Sequence, residues 1–437
     1  MKKTILTLAL ALAATPAVFA ARLDFNADVS LKTDAWSNLD FATPNPSNRI
    51  YFEQAASLGF LVKDLRYIPG GEEAMDVGIT LGALGLNAQG GILPPFDAIA
   101  NFYPNSNMTP WVKEAYFRLH GLLGGDITLT AGRQSFTLAT GLTLSDNGLG
   151  MPGFNIRYNK ALFHSLNLQG FVFQPKAPDS TGGGANVAGI LADYAAQGLW
   201  QFYSFCEFDH QTTQVISIPV KHAFRNFSGV SYSLRYGSLS FDAEAALEKG
   251  SAAGDNGNSD VSFNGNALLL RGKWSQPLGR FGTGAARVAA GRASGDNAST
   301  TGTDEAFFPS FGKRYEGFER AGFGAVFGSS LYDAFGGDSS TKTGMPAGFS
   351  GIQMVNLGLS FSPYRSFMLD ADFFVFAADS APTTQKQLGS ELDLKLSCPL
   401  SDQVSINMVY GVFSPGAAYS ANLDSPSKFA FETSVRF

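Results

Sequence analysis

The stretch Arg22-Leu-Asp-Phe-Asn-Ala-Asp-Val-Ser-Leu-Lys32 decides the reading of the fold. Successive side chains of an extended chain point to opposite sides. Leu23, Phe25, Ala27, Val29 and Leu31 therefore share one face, and Asp24, Asn26, Asp28 and Ser30 share the other. Ser238 to Glu248 repeats the pattern, with Leu239, Phe241, Ala243, Ala245 and Leu247 opposed to Ser240, Asp242, Glu244 and Glu248. Leu392, Leu394 and Leu396 likewise oppose Glu391, Asp393 and Lys395. A soluble β-sandwich alternates in the same way, so the connections between strands carry the decision.

Working outward, candidate strands begin near Arg22, Ile50, Asp76, Trp111, Asp126, Phe154, Leu166, Gly198, Thr212 and Ser228. Others begin near Leu239, Asn266, Gly282, Gly351, Phe367, Leu388, Gln403 and Lys428, giving about 18 in all, an even number. Tight connections (Gly121–Gly125, Tyr236–Ser238, Gln276–Arg280, Pro363–Ser366, Pro399–Asp402) alternate with long polar ones. The long ones are Gln89–Pro110, Pro175–Gln197, Gly250–Gly265, Ala293–Ser350 and Ala378–Gln387. The Lys63–Glu73 turn, on the short-turn side, is the exception. A sandwich has no reason to put its long loops at one end. An outer-membrane barrel does, with short periplasmic turns and longer extracellular loops. The expected fold is an all-β transmembrane antiparallel barrel of about 18 strands.

The flanks agree. Lys2 and Lys3 precede the apolar run Ile5–Ala14, and Val18 and Ala20 occupy the small-residue positions of a signal peptidase site. Residues 1–20 read as a secretory signal peptide, too short to span a bilayer as a helix. No Cys follows to take a lipid anchor, and strand patterning begins at once, without a plug domain. Residues 21–437 then form a single barrel. Without the two signal lysines, 29 basic face 37 acidic side chains, a net charge of −8, which excludes nucleic acid as a natural partner. The segment ending the chain alternates Phe429, Phe431, Thr433, Val435 and Phe437 with Ala430, Glu432, Ser434 and Arg436. A strand ending on an aromatic resembles the signal read by the barrel assembly machinery, which makes Phe437 its contact and outer-membrane lipid the surrounding partner.

Several segments resemble the alginate-export family of outer-membrane barrels. Trp111-Val-Lys-Glu-Ala-Tyr-Phe-Arg-Leu119 followed by Leu129-Thr-Ala-Gly-Arg-Gln-Ser-Phe136 is similar to that family's paired strands. Gly291-Arg-Ala-Ser-Gly-Asp-Asn297, Phe307-Phe-Pro309 and Tyr315-Glu-Gly-Phe318 resemble its long loop, and Leu388–Leu394 and Phe413–Gly416 its closing strands. The resemblance implies a pore that passes small polar or anionic solutes, in the best-known members an anionic polyuronate.

Alternation assigns the lumen. Val230, Tyr232, Leu234 and Tyr236 face lipid, so Arg235 faces inward; Phe154, Ile156 and Tyr158 leave Asn155 and Arg157 inside. Leu268, Leu270 and Trp274 leave Arg271 and Lys273 inside, and Ala286 and Val288 leave Arg287. Phe117 and Leu119 leave Glu114, Arg118 and His120. Arg or Lys at the lipid midplane costs about 2–4 kcal/mol, which gives these assignments an energetic basis. Arg133 continues the lipid-facing register of Ile127, Leu129 and Ala131; a bulge near Gly132 turns it inward, otherwise it snorkels at the extracellular interface. Asp242, Glu244, Asp370, Asp372, Glu391 and Asp393 also face inward, on strands separate from most arginines. Two readings follow: a basic wall facing an acidic wall, or arginines paired with neighbouring acids that keep the lumen wet.

The remaining features bear on alternatives. Of the four histidines, His164 and His210 fall at turns on the periplasmic side, His222 in a loop and His120 near a turn, with no triad spacing and no metal-ligand cluster. An enzyme is not expected, nor a cofactor. A non-conducting adhesin or structural barrel, plugged by the 293–350 loop with its Phe307, Phe308, Phe311, Tyr315 and Phe318, is the rival; the bland form of that loop is an extracellular cap. Asp255-Asn-Gly-Asn-Ser-Asp260 has calcium-type oxygens but reads first as turns. Cys206, placed near the periplasmic end of the eighth strand, and Cys398, near the same end of the seventeenth, lie across the ring and are expected as free thiols.

Overall fold

The structure, a computed structural model, describes residues 21–38, 48–66, 73–88, 109–146, 148–162, 165–176, 184–210, 213–215, 218–297, 299–311, 315–316, 319–320, 323–327, 346, 348–363, 367–419 and 423–437. The proposed signal peptide, Phe318 and His164 lie outside these residues.

Eighteen strands of eight residues or more form one antiparallel ring. They are β1 (Arg22–Ser37), β2 (Arg49–Arg66), β3 (Ala74–Ala88), β4 (Thr109–Leu122), β5 (Ile127–Gln134) and β6 (Met151–Leu162). Then come β7 (Leu166–Lys176), β8 (Ala185–Ala195), β9 (Leu199–Asp209), β10 (Ile218–Tyr236), β11 (Leu239–Gly254) and β12 (Asn266–Pro277). The ring is completed by β13 (Thr283–Ala293), β14 (Ser350–Ser362), β15 (Met368–Ser380), β16 (Gln387–Pro399), β17 (Val404–Pro415) and β18 (Ser427–Arg436). Each strand pairs with its sequence neighbour, and β18 closes on β1 from Asp28↔Arg436 to Ser37↔Ser427. Phe437 completes the seam: its N–H donates to the Ala27 carbonyl at 2.8 Å. Closure pairs the first and last strands across the seam, the condition for backbone to sit in lipid.

Alternation puts apolar side chains outside. Leu23, Phe25, Phe154, Ile156, Ile190, Trp274, Leu359 and Leu394 are exposed. Outward aromatics gather toward the short-turn rim, where Trp200 packs on Tyr232 with ring centroids 4.4 Å apart. Such girdles mark the membrane–water interface of barrels.

The strand total agrees with the sequence reading, but not strand for strand. The segment Pro175–Gln197, read as a loop, contains β8. Its inner face carries Val187 and Leu191 and its outer face Ile190 and Tyr194, so apolar residues lie on both sides and the alternation disappears. In compensation, the segment read as two strands from Thr212 and Ser228 is the single 19-residue β10, preceded by the short Thr213–Val215. The inversion reaches the residues between. The Ala196–Gly198 turn is at the short-turn rim, so Cys206 and His210 lie toward the opposite, long-loop rim. Both cysteines are free, as expected, Cys398 remaining near the short turns. Asp255–Asp260 is a turn: the Asn258 N–H donates to the Asp255 carbonyl at 3.1 Å, and the Asp255 carboxylate pairs with Lys221 at 3.0 Å. That pair holds the Asp255 carboxyl below its usual range.

Candidate permeation site

The inner wall has two unlike halves. Toward the short turns it is polar and open. Arg235 (β10) pairs with Asp242 (β11) at 3.1 Å, and Arg157 (β6) reaches Asp193 at 3.5 Å and the Gln169 side-chain oxygen at 3.2 Å. Arg287 (β13) bridges Asp370 at 2.5 Å and Asp372 at 2.7 Å on β15. Arg118 donates to Thr130 at 3.2 Å, and His120 Nε2 lies 2.9 Å from Asp76. Arg271 and Lys273 on β12 are exposed, and among the described residues neither has an ion-pair partner. Most lumenal arginines thus pair with neighbouring acids, and no basic wall faces an acidic one. Among the described residues Arg118, Arg271 and Lys273 make no ion pair.

Arg133 does not join this set. The β4–β5 ladder runs through Ala115↔Arg133, Tyr116↔Gly132 and Phe117↔Ala131 without a register shift. Arg133 therefore keeps the outward register of Phe117 and donates to the Leu149 carbonyl at 3.2 Å beyond the strand end.

Toward the long loops the bore is packed. The β5–β6 loop (135–150) turns inward and buries Leu138, Leu142 and Leu144 completely. Its Phe136 meets Phe171 and Phe173 of β7, both at 4.8 Å between centroids. The loop crosses to β11, where Glu244 Oε2 accepts the Thr140 N–H at 2.9 Å and the Thr140 hydroxyl. The other oxygen of Glu244 accepts the Tyr203 hydroxyl at 2.7 Å.

The described parts of the β13–β14 loop (294–349) also enter the lumen. Phe307 is fully buried against Phe227. Glu248 accepts the Phe308 N–H at 2.8 Å, while Arg225 donates to the Phe308 carbonyl at 2.8 Å. Arg225 is also paired with Glu207 at 2.6 Å and Glu248 at 3.1 Å. Further along, Glu391 accepts the N–H groups of Val326 at 2.8 Å and Phe327 at 2.7 Å, and Asp393 accepts that of Ala325 at 2.9 Å. Phe327 then stacks on Phe413 at 4.7 Å. Gly411 makes the approach: a Cβ there would meet Ala325 and Val326 of the loop within about 3.1 Å. The two loops join where Ser145 N–H donates to the Phe311 carbonyl at 2.6 Å.

Glu244, Glu391 and Asp393, read as solute-facing, are therefore bound to loop backbone instead. A carboxylate accepting backbone N–H groups makes a charge-assisted bond, stronger than a neutral one. A fully buried Phe adds roughly 1.5–3 kcal/mol, so the described loop segments are anchored against the inner wall.

The alternation reading missed Arg225, Glu207 and Thr140. It also missed a buried group at the closure seam, where Asp34 lies 3.6 Å from Lys32 and 3.3 Å from Lys428. A signal for the packed half does exist. Phe171-Val-Phe173 and Phe373-Phe-Val-Phe376 are unbroken apolar runs, as required where both faces of a strand are covered.

No family model and no curated protein matches the chain by sequence. Solved structures do match in fold. Acinetobacter baumannii OccAB1 has a TM-score of 0.55 at 10% identity, over 95% of this chain and 96% of that one. Pseudomonas aeruginosa OccK2 (OpdF) in complex with glucuronate gives 0.53 at 10% identity, over 95% and 96%. Pseudomonas aeruginosa OpdK with vanillate gives 0.50 at 14% identity, over 95% and 98%. The fold is that of the eighteen-strand outer-membrane porins. These matches do not show the alginate-export family.

Proposed function

We propose that this chain is an outer-membrane channel for small anionic solutes, selected at the loop constriction and drawn along the basic residues on its short-turn side. The observation that carries this reading is the contrast in the lumen. The loops enter one half, while in the other Arg271 and Lys273 stay exposed and, among the described residues, without an ion-pair partner, in a closed barrel with an apolar exterior. Arginine and lysine lining a pore replace the hydration of a passing anion. Arg118, Arg157, Arg235 and Arg287, held by neighbouring groups, orient around that path with Asp242, Asp370 and Asp372.

The solute class suggested is the sugar acids. One fold neighbour was solved with glucuronate. The short motifs around Trp111–Phe136 and Gly291–Asn297 independently resemble barrels that pass a polyuronate. In this reading residues 1–20 are removed on export, Phe437 engages the assembly machinery, and the long loops face the exterior.

Swelling of proteoliposomes containing the purified chain tests the reading. Glucuronate should enter faster than glucose, and joint replacement of Arg157, Arg235, Arg271 and Arg287 by Ala should remove that preference. Equal entry of both solutes into wild-type vesicles would contradict the anion reading. No swelling with either would favour a plugged structural barrel.

A further inference from the structure

Outside the lumen, at the long-loop rim, two of the four histidines come together. His210 follows the end of β9, and His222 sits in β10 where the ladder with β11 shifts register between Lys221 and Phe224. That shift is a β-bulge, a device that re-aims a side chain. His222 has φ +53°, left-handed backbone that a non-glycine residue seldom adopts. The rings lie just beyond the outward pair Phe208 and Phe224, whose centroids are 5.1 Å apart. They are exposed, and their Nδ1 atoms are 3.4 Å apart.

We propose that His210 and His222 form a two-nitrogen clamp for a borderline divalent cation of the zinc class. Zinc binds imidazole nitrogen at about 2.0–2.1 Å, and two such bonds at the tetrahedral angle hold their nitrogens about 3.3–3.4 Å apart. The observed separation fits that edge without movement of either strand. The same atom, Nδ1, is presented by both rings. As a hydrogen bond the contact is poor, because 3.4 Å is long for nitrogen donors.

Among the described residues no three His, Cys, Asp or Glu side chains converge, and Asp255 is engaged by Lys221. The clamp therefore supplies two ligands and water the rest. Bound metal ties the end of β9 to the bulge in β10, bracketing the 211–217 connection. This site is separate from the solute path.

Zinc titration of the full chain in detergent, followed by calorimetry at about pH 7.5, tests the clamp. One saturable equivalent should bind. His210→Ala and His222→Ala should each weaken it at least tenfold, with heat-modifiable migration confirming that the variants fold. Unchanged affinity in the double variant, or no saturable binding in the wild type, would overturn the proposal.

Discussion

The two ends of the lumen use the same residue types in opposite ways. At the short-turn end, Arg235 is 64% exposed beside Asp242, and Arg157 is 51% exposed beside Asp193. Such wet pairs are worth little, about 0–1 kcal/mol each. At the loop end, Arg225 is 11% exposed between Glu207 and Glu248, which are 2% and 0% exposed. There each charge depends on its partners, since an uncompensated buried ion is costly. The difference teaches that a lumenal charge need not be a solute contact. Where a loop folds in, carboxylates become acceptors for its backbone.

The contrast can be broken most directly by removing the material that creates it. Replacing residues 137–146 by a short Gly/Ser linker removes Leu138, Leu142 and Leu144 from the bore and frees Glu244. Single-channel conductance should rise several-fold, with the barrel still heat-modifiable. Unchanged conductance would show that this loop does not limit the path.

The next effect is in stability. Glu248→Ala leaves Arg225 half-compensated and Phe308 N–H without its acceptor, and should destabilise the barrel by about 3–5 kcal/mol in denaturant unfolding. The paired replacement Arg271→Ala with Lys273→Ala, at exposed positions, should stay within about 0.5 kcal/mol of wild type. It should nonetheless move the reversal potential toward cations. If both variants were equally destabilised, the two halves would not differ as described.

How much of this was legible follows from the same contrast. Where one face meets lipid and the other water, alternation is clean, and β1, β11 and β12 were read in register from the sequence. Where loops cover the inner face, both sides of a strand turn apolar and the period fades. Thus β8 read as a loop, and inward Phe171, Phe173, Phe374 and Phe376 went unassigned. Arg133 was ambiguous because its register depends on whether a bulge forms at Gly132, and the ladder shows none there. The inward course of the β13–β14 loop depends on contacts of Glu391 with Val326 and Phe327, about 65 residues away in sequence, which local pattern does not encode.

The smallest effect concerns the base of that loop. Burial, with the Asp304 charge nearby, pushes the Asp296 carboxyl up to about 6 from 3.8. A carboxyl with a raised folded value binds its proton more tightly when docked. Stability therefore falls as pH rises from about 4 to about 6 and stays lower above that. Asp296→Asn should make the loop more resistant to protease than wild type at about pH 7.5 and no different at about pH 4. The reverse order would place the charge in a favourable site.

The central claim is that the constriction narrows the barrel without sealing it. Single-channel recording in planar bilayers under a KCl gradient tests this with residues 21–437, otherwise unaltered. Discrete conductance steps are expected, with a reversal potential on the side of anion preference. Folded, heat-modifiable protein that inserts and yields no steps would contradict the claim.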